Sequence, residues 1–218
     1  MNIKAAIFDM DGTLIDSLMI WEVMWSTMGQ KYRNDPTFTP SVEDDKKVRT
    51  LTLKDAMGLI HRNYSLGRSG EELLETANEV LFDFYNNSVK LKSGVMEFLE
   101  YCQGHGVKMC IASATAPELI RVAMQHCGIE AYFSKIFSCS LLGKGKESPD
   151  VFLLAKEFLG EATEDTWVFE DSLTALETAT KIGMKTVGIH DRFNYGQERI
   201  KEIATVYIAE GETLLKLV

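Results

Sequence analysis

Short apolar runs alternate along most of this chain with segments of helical period, and that alternation restricts the fold to a parallel sheet covered by helices. The runs fall at residues 5–8, 107–112, 135–137, 166–169, 185–189 and 205–208. Between them Val95, Phe98, Leu99 and Cys102 stand at i, i+3, i+4 and i+7, as do Val151, Leu154, Ala155 and Phe158, and both sets predict amphipathic helices. Asp150, following Pro149, suits the start of the second. The alternation stops between residues 17 and 86, where no strand pattern occurs. There Leu18, Trp21, Trp25 and Met28 make one helical face, Leu73, Ala77, Val80, Leu81 and Phe84 make another, and residues 34–41, with Pro36 and Pro40, read as a loop between helices. The expected fold is therefore α/β, a Rossmann-like parallel sheet interrupted after its first strand by an all-helical insert. Residues 1–16 and 87–218 would form the core and 17–86 the insert, with joints at 12–16 and 86–94 where turn-forming residues collect.

The densest chemical signal is Phe8-Asp9-Met10-Asp11-Gly12-Thr13-Leu14-Ile15-Asp16-Ser17, directly after the first strand. Side chains two apart on a strand share a side, so Asp9 and Asp11 are expected to project together from its carboxyl end, where open α/β sheets bind ligands. Two carboxylates that close repel unless a proton or cation intervenes, which calls for a hard divalent ion such as Mg²⁺. Gly12 then permits a sharp exit from the strand.

Composition excludes several classes. The charge sum is 23 basic minus 32 acidic residues, or −9, and with no basic cluster it argues against nucleic acid. At 45% hydrophobic and 25% charged residues the chain is globular rather than disordered. Cys102, Cys110, Cys127 and Cys139 form no Cys-x-x-Cys pair, which suits a reducing, cytoplasmic compartment. Met1-Asn2-Ile3-Lys4 leads to acid by Asp9 and is not expected to begin a signal peptide, and no apolar run approaches the length of a membrane span. A soluble monomer with no membrane partner is expected.

Four motifs in order give a further reading. Asp9-x-Asp11-Gly12-Thr13, then Ile111-Ala112-Ser113-Ala114, then Lys146-Glu147-Ser148-Pro149-Asp150-x-Phe152, then Phe169-Glu170-Asp171-Ser172 with Gly183-Met184 beyond, resemble the motifs of the haloacid dehalogenase superfamily. Glu147 departs from the pattern, which usually has Pro there. The likeness is to the subfamily of β-phosphoglucomutase-like and phosphoglycolate phosphatase-like proteins, whose helical cap residues 17–86 resemble. It implies a Mg²⁺-dependent phosphatase of a small phosphorylated metabolite, a sugar phosphate or phosphoglycolate-like acid. Asp9 would be the nucleophile, forming an aspartyl-phosphate, and Asp11 the general acid and base. Mg²⁺ would be held by Asp9, the backbone carbonyl of Asp11, and Asp171 with Glu170 nearby. Lys146, Ser113 and backbone N–H groups beside it, such as that of Ala114, would bind the phosphoryl oxygens.

Competing readings sharpen this expectation. Lys144 also lies in the lysine segment, but its spacing to Pro149-Asp150 does not suit the motif. His61, His105, His126 and His190 show no ligand spacing, and Trp21 and Trp25 read as packing before substrate lid. Arg49, Thr52 and Lys54 are candidates for substrate contact, with a solvated helix start an equal alternative. Dehalogenases resemble the first motif without a second aspartate. The main rival is a β-phosphoglucomutase-type mutase, which carries a His where this chain has Trp21 and Gly-x-Ser-Arg where it has Thr50-Leu51-Thr52-Leu53. A phosphorylated receiver module would be shorter, with adjacent acids and no helical insert.

Overall fold

The computed structural model describes residues 3–49 and 51–218; Met1, Asn2 and Thr50, and the readings that fall on them, lie outside. Six strands form one parallel sheet: β1 Ala5–Phe8, β2 Lys108–Ser113, β3 Ile136–Ser138, β4 Thr166–Glu170, β5 Lys185–Ile189 and β6 Val206–Ile208, in the order β3-β2-β1-β4-β5-β6. The expected α/β class is met, and each predicted apolar run became a strand to within two residues at either end. Burial on both faces explains why β1 and β4 read as unbroken apolar runs rather than alternating ones.

The order reverses at β1, whose neighbours are β2 and β4. Ligands of such sheets bind at the carboxyl ends beside that reversal. Phe8 pairs in register with Phe169, so the residues just beyond them, Asp9 and Glu170, emerge side by side. The two rings stack with centroids 4.3 Å apart, and Phe98 and Phe133 pack edge-on or tilted around them. That fully apolar floor locks the register; truncating Phe8 to Ala would cost about 3–5 kcal/mol.

By contact density Met19–Ser88 form one compact unit, and the described residues on either side of it form the other. The inserted unit holds α1 Ile20–Arg33, α2 Val42–Val48, α3 Leu53–Tyr64 and α4 Gly70–Asn87. Ser41, Thr52 and Ser69 cap the last three by accepting hydrogen bonds from Asp44, Asp55 and Glu72 N–H. Its core includes Met24, Trp25, Met28, Met57, Ile60, Leu73 and Ala77.

The sheet-bearing unit adds α5 Val95–Gly104, α6 Pro117–His126, α7 Cys139–Leu142, α8 Asp150–Leu159, α9 Leu173–Lys181 and α10 Gln197–Ile203. The predicted face of α8 needs correction. Val151, Phe152, Ala155 and Leu159 are buried, while Leu154 and Phe158 are 40% and 46% exposed. All four cysteines are free thiols, and burial pushes those of Cys102 and Cys110 up to about 12. Among the described residues no helix is long and apolar enough to cross a membrane.

Candidate active site

β1 ends at Phe8, and the chain turns at once. Leu14 and Ile15 N–H both donate to the Met10 carbonyl, and Gly12 N–H donates to that of Ile15. Gly12 sits at φ +76°, in the left-handed region, and a Cβ there would lie 2.3 Å from Asp171 Oδ2. Glycine is therefore required twice, by the backbone and by the carboxylate packed against it.

This turn delivers Asp9 into a buried cluster. Oxygen atoms of Asp9, Glu170 and Asp171 lie within 4.8 Å of one another, and all three residues are buried. Lys146 Nζ donates to Asp9 Oδ1 at 2.5 Å and also bonds Glu170 Oε1. Lys144, by contrast, is exposed and pairs with half-buried Asp150. Glu170 Oε2 accepts from the N–H groups of Asp171 and Ser172, so both of its oxygens are occupied and it serves to anchor the lysine. Asp171 Oδ1 accepts from the Thr13 hydroxyl at 3.1 Å and Oδ2 from Asn194 Nδ2 at 2.7 Å.

Asp11 is directed elsewhere. Its Oδ1 accepts from Ser17 Oγ at 2.7 Å and its Oδ2 from Thr115 Oγ1 at 2.8 Å. Its carboxylate is thus outside the three-residue cluster, and of the expected metal set only Asp9, Glu170 and Asp171 bring side-chain oxygens together. Ser113, 1% exposed at the end of β2, accepts from Thr115 N–H, and Ala114 follows it on the exposed turn. Arg49 lies in the inserted unit, where its Nε bonds Asp45 Oδ2 at 2.9 Å and its guanidinium lies 5.7 Å from the Trp21 ring centre. Trp25 is core and donates Nε1–H to the same Asp45. The Thr52 hydroxyl is engaged in capping α3.

Electrostatics in the cluster are dominated by desolvation. Burial raises Asp9 well above the ordinary carboxylate range, with Lys146 opposing and Glu170, Asp171 and Asp11 adding to the rise. Burial, then the Glu170 charge, pushes Asp171 up to about 7 against the pull of Lys92 and Asn194. For Lys146 burial acts downward, but Asp9 and Glu170 outweigh it and hold the ammonium above its usual value. One lysine among Asp9, Glu170 and Asp171 leaves an excess of negative charge in a water-poor site. An all-oxygen donor set of that kind fits a hard divalent cation.

Several residues that shape the site went unnoticed in the sequence: Thr115, Lys92, Asp191 and Asn194. Thr115 stands two residues beyond Ser113 in the second motif. The polar stretch at residues 190–196 directly follows β5, a neighbour of β4, so its place at a strand's carboxyl end was the available signal.

A parallel sheet with acidic residues beyond two adjacent central strands, a buried lysine and a hydroxyl beyond a third defines a class of hydrolases. The chain belongs to the haloacid dehalogenase-like hydrolase family, whose model matches residues 6–189. It is 24% identical over 213 residues to the phosphorylated carbohydrates phosphatase of Thermotoga maritima, covering 97% of this chain and 96% of that one. Phosphoglycolate phosphatase 1 of Pseudomonas aeruginosa is 23% identical, covering 97% and 78%. The solved structure of CbbY from Rhodobacter sphaeroides in complex with phosphate shares the fold, with TM-score 0.77, 18% identity, and 95% and 94% coverage. The motif-based expectation of family and enzyme class is met: this is a hydrolase of the phosphomonoesterase type.

Proposed function

We propose that the enzyme is a Mg²⁺-dependent phosphatase acting on a small phosphorylated carbohydrate or phosphoglycolate-like acid through an aspartyl-phosphate intermediate. The observation that carries the reading is Asp9, buried at the sheet's reversal point, bonded to Lys146 and grouped with Asp171. Asp9 attacks phosphorus, and the leaving oxygen takes a proton from Asp11, whose carboxyl is oriented by Ser17 and Thr115. After the first product departs, Asp11 deprotonates the water that splits the acyl phosphate, and Asp9 is regenerated. Lys146 and Ser113, with the backbone N–H groups beside Ala114, bind phosphoryl oxygens. Asp9, the Asp11 carbonyl and Asp171 would hold the metal, with Glu170 fixing Lys146 alongside; bound there, Mg²⁺ neutralises charge on the transferring group. The inserted helical unit is proposed as the cap that sets substrate choice, with Arg49 a contact for substrate. The names of the phosphatase relatives support the substrate class, and free buried thiols support a reducing cytoplasm.

A phosphosugar mutase must also grip a second phosphate. Leu53 opens α3 and Thr52 is spent on its cap, which favours hydrolysis. The test is Mg²⁺-dependent phosphate release across a panel of small phosphate esters, including β-glucose 1-phosphate with a trace of its bisphosphate. Accumulating inorganic phosphate is expected; rapid glucose 6-phosphate formation with little phosphate release would establish the mutase instead.

A further inference from the structure

The loop after β5, residues 190–196, is built around a buried ion pair. Asp191 is 3% exposed; its Oδ2 meets Lys92 Nζ at 2.7 Å and its Oδ1 accepts from Phe193 N–H at 2.9 Å. Lys92 also donates to the His190 carbonyl at 3.0 Å. Asn194 N–H and Gln197 Nε2 both donate to the Asp191 carbonyl, at 3.1 and 3.2 Å. These bonds fix the backbone that presents Asn194. Its own orientation is set by a further contact, Tyr195 N–H to Asn194 Oδ1 at 2.9 Å, which identifies the side-chain nitrogen as the end facing Asp171. That nitrogen donates to Asp171 twice, to Oδ2 at 2.7 Å and to the main-chain carbonyl at 2.9 Å.

We propose that Asn194 is a positioning residue for the metal carboxylate: gripping Asp171 at both side chain and backbone, it holds the carboxylate in the orientation that receives the cation, with the Lys92–Asp191 pair as the rigid support of that grip. The proposal rests on the reading of Asp171 as a metal ligand. The chemistry is specific. An amide N–H donor leaves the acceptor's remaining lone pairs available for a cation and adds no charge of its own, whereas a lysine at this place would compete with the metal. Thr13 donates to the other oxygen, so the carboxylate is fixed from two directions before any ion arrives. Partners of this kind typically contribute ten- to a hundredfold to metal affinity.

The test is the Mg²⁺ affinity of Asn194→Ala, measured by calorimetric titration and by the Mg²⁺-dependent rise in melting temperature, neither of which needs turnover. The dissociation constant should rise about tenfold or more. KM for 4-nitrophenyl phosphate at saturating Mg²⁺ should stay within about twofold, because Asn194 acts through Asp171 and not on the ester. Gln197→Ala is the control, since Gln197 braces the same loop, with Tyr207 on its Oε1, but does not touch Asp171. It should lower stability while moving Mg²⁺ affinity far less than Asn194→Ala does. Equal affinity in parent and Asn194→Ala, or an equal loss in Gln197→Ala, overturns the positioning role while leaving the metal site intact. A parent enzyme that neither binds Mg²⁺ nor is stabilised by it overturns both readings together.

Discussion

Asp171→Asn in metal-free protein should change the pH dependence of stability in a calculable way. The carboxyl is 3% exposed and pushed from 3.8 up to about 7 by burial and by Glu170. A folded pKa above the unfolded one means that the folded state keeps a proton the unfolded chain has released. The contribution to stability is therefore full below pH ~4, falls as pH rises, and is gone above pH ~7. Three pH units at ~1.36 kcal/mol each give a loss of about 4 kcal/mol across that window. The neutral isostere loses nothing there. Asp171→Asn should then match the parent near pH 4, where both side chains are uncharged, and exceed it by up to about 4 kcal/mol at pH 8, or roughly 8–16 °C in melting temperature for a chain of this size. The assay is thermal or urea unfolding in chelator at pH 4 to 8, taking the difference between the two proteins so that titrations away from the cluster cancel. Adding Mg²⁺ should narrow the gap at pH 8: the parent gains about 2.7 kcal/mol at a concentration a hundred times its dissociation constant, while the variant, missing a ligand, gains less. A difference between parent and variant that is flat from pH 4 to 8 would refute the reasoning, because the buried carboxyl would then not be titrating under strain.

Asp9→Asn should keep the fold and lose essentially all turnover, since an amide is a poor nucleophile; phosphate release within tenfold of the parent would overturn the assignment. Chelation should stop turnover, Mg²⁺ restore it and Ca²⁺ restore it poorly, because its larger and looser coordination misplaces the phosphate; the readout is phosphate release in each metal. Thr115→Val removes one of two hydroxyl donors from Asp11 and should lower kcat about tenfold with Mg²⁺ affinity unchanged, measured by steady-state kinetics and titration. Gly12→Ala, strained at φ +76° and colliding with Asp171, should cost at least ~1 kcal/mol in unfolding experiments and weaken Mg²⁺ binding as well.

What the sequence revealed and what it hid follow from how far each signal travels along the chain. Asp9 and Asp11 were legible because strand, turn and acids are consecutive, and a strand fully buried on both sides writes itself as an apolar run. Their spacing nevertheless misled on one point. Two residues apart on an extended strand would share a side, but β1 stops at Phe8 and the Gly12 turn intervenes, so the carboxylates part: Asp9 goes to Lys146, Asp11 to Ser17 and Thr115. Asn194 and Asp191 were hidden for the opposite reason. Their partners Asp171 and Lys92 lie 23 and 99 positions away, and an Asn or Asp in a Gly-containing loop carries the same local signature whether it caps a turn or grips a carboxylate.

The misread face of α8 shows where periodicity itself fails. Residues 151–155 read Val-Phe-Leu-Leu-Ala, five apolar positions in a row, and a helix apolar on that many consecutive positions offers more than one stripe at i, i+3, i+4, i+7. The sheet selects the stripe of Val151, Phe152 and Ala155, continued to Leu159, which packs into the cluster with Ile7, Ala112 and Val168. The rejected stripe is not left bare. Phe158 meets Phe137 edge-on at 5.7 Å, and Lys135 lays its ammonium 5.0 Å from the Phe158 ring centre and 4.9 Å from that of Phe137. A cation beside both rings lowers the cost of leaving Phe158 partly in water. The choice between the two stripes was therefore made by residues on β1, β2 and β4, with Phe137 of β3, far outside the window in which α8 could be read.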